Sequence, residues 1–320
     1  MTIETEAVLD RRSLRRKVGF WRGLALLAGV VAFGATAYTY YDGFSEPRQI
    51  ARVTIDGMIT EDRAQLRMLK RIAASKNVDA LLLSINSTGG TTSGGEALFE
   101  AIREVAKTKP VVAQFGTVAA SAAYITGLAA DHIVARGNTI TGSVGVIFQW
   151  PEVTGLLDKF GVKMNEIKSG NLKAVPSMFE PVSPEGRKVT EDLVADSQKW
   201  FLGLVTARRG VATKAIPGLE QGRIFSGREA LAHKLIDEIG GEDEAVRWLE
   251  TKRAVKSKLK LIDWRPRTES QIGLFRWLGQ AAAGAIGLGQ STTSLISTVD
   301  HARARLALDG LVSVWQPAEK

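Results

Sequence analysis

Between Asp79 and Asn86 the chain reads DALLLSIN, a short continuous apolar run bounded on both sides by turn-forming residues. A run of that length between turn signals reads as a buried strand. The same kind of segment recurs on either side of it. ARVTIDG, from Ala51, reads as a strand, and PVVAQF, Pro110 to Phe115, as another. Between them lie helical patterns. Glu61 to Ser75 places Leu66, Leu69, Ile72 and Ala73 on one face, and the segment ending at Lys107 carries Leu98, Ile102 and Val105. Short strands alternating with helices build βαβ units, so the expected fold is α/β with mainly parallel sheets and flanking helices. A chain of 320 residues is long enough for one large domain of this kind with appendages.

Composition removes several kinds of chemistry. With no cysteine there is no disulfide, thiolate metal site or cysteine nucleophile. The three histidines, His132, His233 and His301, are too widely spaced to form a ligand pair, so no metal is expected. The net charge of +8 is spread over helices and both tails without aromatic interleaving. Nucleic acid is therefore not an expected partner.

The N-terminus carries Arg11, Arg12, Arg15, Arg16, Lys17 and Arg22, and then an uncharged run, GLALLAGVVAFGATAYTYY, from Gly23 to Tyr41. Its length approaches the roughly 20 residues that span a bilayer. The basic flank predicts a cytoplasmic N-terminus with the remainder on the far side, and Tyr38, Tyr40 and Tyr41 at the far interface. A cleavable signal peptide with Ala35-Thr36-Ala37 as its small-residue site is the rival reading. Near the other end, QIGLFRWLGQAAAGAIGLG (Gln271 to Gly289) is apolar but interrupted by Arg276. An interfacial, oligomer-contact or packing segment suits it better than a span. The final LDGLVSVWQP reads as a strand to be added to a neighbour.

Three stretches carry candidate chemistry. After PVVAQF comes GTVAASAAYITGLAA, in which Ser121 stands at a strand-to-helix corner among Ala119, Ala120, Ala122 and Ala123. Without bulky neighbours, its hydroxyl is approachable by a carbonyl and lies near the positive end of the following helix. A helix N-cap is the ordinary role of such a serine. STGGTTSGG, Ser87 to Gly95, reads as a loop whose Gly89 and Gly90 expose backbone N–H groups, as an oxyanion hole requires; the phosphate-loop patterns are absent. ITGSVGVIF, Ile140 to Phe148, reads as a strand with a turn at Thr141-Gly142 and holds Ser143. KSGNLKAVPS places Lys173 among small and apolar residues, whereas Lys163, Lys168 and Lys188 read as solvated surface.

Taken in order, SINSTGG, TVAASAAYI, TGSVGV, IKSGNLK and GRIFSGREAL…LIDEIGG resemble the bacterial signal peptide peptidase A (protease IV) family, over about Arg52 to Leu249. The resemblance implies a ClpP/crotonase-like fold and a membrane-anchored Ser/Lys-dyad serine protease that needs no cofactor. Ser121 matches the nucleophile, Lys173 the general base and Ser143 the hydroxyl that orients the lysine. Gly89 and Gly90 match the glycines at the oxyanion site, with Ala122 beside them. Thr88, Ala122-Ala123 and Ala174 depart from the family pattern. The implied partners are signal peptides and other apolar peptide segments, membrane lipid and further copies of the chain in a homo-oligomer. The implied location is the bacterial inner membrane, with the catalytic part on the outer side. The expected organisation is a basic segment at 1–22, an anchor at 23–41, a peptidase domain at 42–260 and an appendage at 261–320. A lysine acts as a base only as the neutral amine, which desolvation favours, so Lys173 is expected to be poorly exposed in the assembled protein. The competing readings are a Ser-His-Asp protease of the ClpP type with His132 or His233 as base, a catalytically silent membrane scaffold, and a crotonase-like acyl-CoA enzyme.

Overall fold

The structure is a computed structural model that describes residues 17–31, 33–34, 47–266 and, as backbone, 312–314. The chain divides into two units between Arg48 and Gln49. In the first unit residues 17–31 are helical, with Leu26, Leu27, Val30 and Val31 exposed. Among the described residues no helix is long and apolar enough to cross a membrane. Most of the predicted basic segment (1–16), much of the predicted anchor (32 and 35–41) and the apolar stretch 271–289 lie outside the described residues.

The second unit is built on one mixed, largely parallel sheet. Its strands are β1 (Gln49–Ile59), β2 (Val78–Thr91), β3 (Val111–Ala120), β4 (His132–Ala135), β5 (Ile140–Gly142), β6 (Ile224–Ser226), β7 (Glu238–Ile239), β8 (Lys260–Asp263) and β9 (Val312–Val314). The main path runs β6-β5-β3-β2-β1-β8; β4 also pairs with β3 and carries β7, and β9 pairs with β2. β5–β6 and β2–β9 are antiparallel, and the other pairings are parallel.

Within DALLLSIN the run Ala80 to Leu83 is continuously apolar because both faces of the strand are covered there. Leu81, Leu83 and Ile85 belong to the larger core, with Leu69 and Ile72 of α1 (Arg63–Ala74) and Leu98 and Ile102 of α2 (Thr92–Ala106). Ala80 and Leu82 point the other way, against Ala245 and Leu249 of α7 (Glu242–Lys252). The remaining helices are α3 (Ala122–Leu128), α4 (Thr154–Lys159), α5 (Pro184–Arg209) and α6 (Gly227–Ala232). α5 opens with Ser183, whose hydroxyl accepts from the Gly186 amide at 3.0 Å, and closes on Gly210 in the left-handed conformation.

Two expectations are corrected. Residues 87–91 are strand, since β2 runs on to Thr91 and the glycines pair with Met58 and Ile59 of β1 on one side and with β9 on the other. Conversely, the strand expected over 140–148 stops at Gly142. Ser143 has φ +50, which takes the chain out of extended backbone, although its amide still donates to the Arg223 carbonyl at 3.0 Å in register with the Gly142–Ile224 pair. The terminal VSV segment does add as a strand, but to the chain's own β2.

Candidate active site

β3 delivers Ser121. The pair Ala120–Gly142 is the last rung between β3 and β5, so Ser121 and Ser143 each follow directly from the same rung. The Ser121 amide donates to the Gly142 carbonyl at 2.9 Å, and its own carbonyl accepts from Ile125 at 3.0 Å, which begins α3. The far end of α3 is held by α2 and α5. Arg103 donates to the Ala129 carbonyl at 2.9 Å, and Arg208 donates to Leu128 and Ala130, both at 2.8 Å. These cations satisfy carbonyls that the helix itself leaves open. Thr141 fixes the approach to the corner, its hydroxyl donating to the Ala119 carbonyl at 2.7 Å.

Ser121 occupies the N-cap position of α3 but does not act as a cap. Asp62, Thr91, Ser183 and Ser226 precede their helices in extended backbone, and each accepts from a first-turn amide. Ser121 instead has φ +61 and ψ −121 and no capping bond, and it is fully buried. That conformation suits glycine and is costly for a residue with a Cβ. A side chain held in such backbone is aimed by its surroundings at the cost of local stability.

The glycine pair lies in strand against β1. A Cβ on Gly90 would stand 1.8 Å from the Ile59 carbonyl oxygen, so only glycine allows the two backbones this approach. The Gly89 amide donates to the Ser87 hydroxyl at 3.1 Å, and that hydroxyl in turn donates to the Gly57 carbonyl. Past the Ser87–Ala119 pair, β3 leaves β2 for the Ser121 corner, and β9 takes the vacated edge antiparallel at Gly89, Gly90 and Thr91. Ala122, the first residue of α3, packs against α2 where Gly95 leaves room; a Cβ on Gly95 would lie 3.3 Å from that of Ala122.

Lys173, unlike this buried cluster, lies at the surface. It is exposed, in a segment whose regular structure is limited to turns, and its amide bonds the Gly170 carbonyl at 3.0 Å. Lys168, five residues earlier, is held charged: its pKa is raised by hydrogen bonds to Glu180 and then Glu166, the second at 3.0 Å. Downstream of Ser143, Val146, Phe148 and Trp150 face Val194 and Ala195 of α5 across a groove of about 410 Å³.

The histidines fall elsewhere. His132 pairs with Val112 at the start of β4, at the opposite end of β3 from Ser121; strand rise puts them roughly 20 Å apart. Its ring stacks on Trp248 at 4.7 Å, and Nε2 lies 3.1 Å from Glu238. His233 meets Phe225 edge-on at 5.7 Å. Asp237 pairs with Arg209 at 2.8 Å and accepts from the Ile133 amide at 2.8 Å. Among the described residues no group of three His, Asp or Glu side chains is arranged to hold a metal ion.

The profile of peptidase family S49 matches residues 103–256, and that of Clp protease matches residues 34–139. A Synechocystis protein named as a protease is 34% identical over 209 residues, 65% of this chain and 75% of that one. An Enterococcus faecium protein named as the signal peptide peptidase SppA is 31% identical over 281 residues, 82% of this chain and 80% of that one. Protease 4 of Haemophilus influenzae is 29% identical over 213 residues, 63% of this chain but 34% of that longer protein. Among solved structures, ClpP1 of Listeria monocytogenes superposes with a TM-score of 0.41 at 17% identity, over 61% of this chain and 94% of that one.

Proposed function

The chain belongs to peptidase family S49, as a short, single-domain serine peptidase of the signal peptide peptidase A (protease IV) group, and from that premise we propose that Ser121 is its nucleophile and Lys173 its general base. The observation that carries this reading is the Ser121 backbone, which is buried and held at positive φ at the corner between β3 and α3.

In the proposed reaction Ser121 Oγ attacks a peptide carbonyl as its proton passes to the Lys173 amine. Backbone N–H groups of the glycine pair and of Ala122 take the charge that develops on the carbonyl oxygen. The Gly89 amide is engaged by Ser87 and Gly90 is paired on both edges in this structure, so the Ala122 amide at the start of α3 is the proposed donor that pairing leaves nearest the serine. The lysine returns its proton to the leaving amine, and water then frees the acyl group from the serine. Ser143, beside Ser121 through the shared rung, is suited to orient the lysine.

The substrates proposed are signal peptides and other apolar peptide segments. Antiparallel pairing of β9 with Gly89–Thr91 supports an extended peptide binding at that edge, where main-chain bonds give affinity and pockets give selectivity. The groove lined by Val146, Phe148 and Trp150 is suited to an apolar side chain. A membrane anchor at 23–41, with the N-terminus cytoplasmic and the peptidase unit outside, would concentrate the enzyme near such substrates. Lys173 is exposed in the single chain, so in this reading its desolvation would come from assembly with further copies.

The test is hydrolysis of an apolar peptide ester by detergent-solubilised wild type and three variants. Ser121→Ala and Lys173→Ala are expected to lose turnover, and His132→Ala to keep it. An active Lys173→Ala beside a dead His132→Ala would replace the dyad with a histidine mechanism. A folded but silent wild type would favour the scaffold reading.

A further inference from the structure

β3 changes partners partway along its length. On its outer edge Val112 to Phe115 pair with β4, whereas Val118 to Ala120 pair with β5. On its inner edge the register with β2 passes from Ile85–Phe115 to Ser87–Ala119, so two steps along β2 oppose four along β3. The excess lies at Gly116, Thr117 and Val118 and forms a bulge, which bends a strand and leaves amides outside the ladder.

One side chain serves those amides. Asn86 Oδ1 accepts from Thr117 N–H at 3.0 Å and from Val118 N–H at 3.3 Å. Residue 116 has to be small beside it, since a Cβ there would lie 3.0 Å from Asn86 Oδ1 and 3.2 Å from Asn86 Cβ and Cγ. On the opposite edge Thr139 donates its hydroxyl to the Gly116 carbonyl at 2.7 Å and accepts from the Arg136 amide at 3.1 Å. Asn86 and Thr139 thus clamp the bulge from both sides. Three residues later the chain reaches Ser121, and the bulge decides which β3 residue meets Gly142. A change in that excess would carry Ser121 off its rung and turn the following side chains to the other face.

We propose that Asn86 is a positioning residue for catalysis: its side-chain carbonyl holds the β3 bulge and thereby sets the backbone that aims Ser121. The proposal rests on Ser121 being the nucleophile. Asn86 acts through main-chain bonds of its neighbour strand and not on substrate.

The experiment uses the full-length, detergent-solubilised protein as wild type, Asn86→Ala and Asn86→Asp. Three quantities are read: kcat and KM on an apolar peptide ester, labelling of Ser121 by a fluorophosphonate, and amide hydrogen exchange over 116–121. Aspartate keeps an acceptor oxygen in the same place; alanine does not. A displaced nucleophile loses rate out of proportion to the size of the shift, so Asn86→Ala is expected to lower kcat by about 10- to 100-fold, with KM within about threefold. Its Thr117 and Val118 amides should exchange faster, and Asn86→Asp should recover most of the lost kcat. Unchanged kcat in Asn86→Ala, unchanged exchange at Thr117 and Val118, or a loss that aspartate does not rescue would each overturn the proposal. If Asn86→Ala does not fold, Thr139→Val removes the donor on the other side of the same bulge and is read in the same way. Wild type that hydrolyses nothing and takes no label at Ser121 would mark failure of the nucleophile assignment and take the proposal with it. That outcome differs from a variant-specific result because the unmodified protein is itself silent.

Discussion

At Ser121 backbone stability and the proposed chemistry pull in opposite directions. The φ and ψ at this position are favourable for glycine and unfavourable for serine or alanine, a cost of order 1–3 kcal/mol. Ser121→Gly is therefore expected to raise the thermal midpoint by a few degrees, since about 1 kcal/mol moves a domain of this size by about 2–4 °C. Ser121→Ala, which keeps the Cβ, should leave it nearly unchanged, and both should be inactive. Calorimetry of the two variants beside wild type checks this; equal midpoints would mean that the backbone stores no strain there. Gly90 is the converse case. Because an added Cβ would meet the Ile59 oxygen at 1.8 Å, Gly90→Ala has to push β1 from β2, at an expected cost above about 3 kcal/mol. A urea midpoint close to wild type would show that the two strands separate more easily than their packing indicates.

At the scale of elements, the β2 edge beside the serine corner is where β9 and the proposed peptide would compete. β9 pairs with Gly89, Gly90 and Thr91, and Ser121 has no accessible surface in this arrangement. A peptide and β9 cannot both pair with that edge. Deleting residues 311–320 is therefore expected to raise kcat/KM on a peptide substrate several-fold and to speed fluorophosphonate labelling of Ser121. A truncated protein no more active than wild type would show that substrate does not use this edge. The elements themselves are largely legible from sequence: α1, α2 and the β2 and β3 cores follow from apolar spacing. The extension of β2 through STGGT is not, because glycine and threonine hold strand there only through Ile59 and Met58 on one side and a segment over 200 residues away on the other. β5 is shorter than its sequence suggests because the chain leaves extended backbone at Ser143, φ +50, although the apolar run continues past Gly142.

At the scale of the whole peptidase unit, exposed apolar side chains recur between residues 156 and 193, with Leu156, Phe160, Met164, Ile167, Leu172 and Leu193 among them. Lys173 lies within that stretch and is itself exposed. Apolar surface of this kind marks a contact, and a lysine that serves as base needs water removed from it. Covering both by another copy would meet the two needs together. Phe160→Asp with Ile167→Asp is then expected to shift the sedimentation profile to smaller species and to lower activity in parallel. A dispersed protein with full activity would separate assembly from catalysis.

By itself, the sequence determined the alternation of strand and helix, the small-residue corner around Ser121, and the family membership carried by five short motifs in order. Each of these is local: a run of apolar residues, a missing side chain, a turn-forming pair. Tertiary structure decided what depends on pairing across long separations. It put Ser121 and Ser143 each one residue past the same rung, set His132 at the other end of β3, gave Asn86 two amides to hold, and laid β9 beside the glycines. The physical reason is that strand register is a property of two segments together. A one-residue slip reverses every face, and nothing within a single segment specifies which residue it will meet.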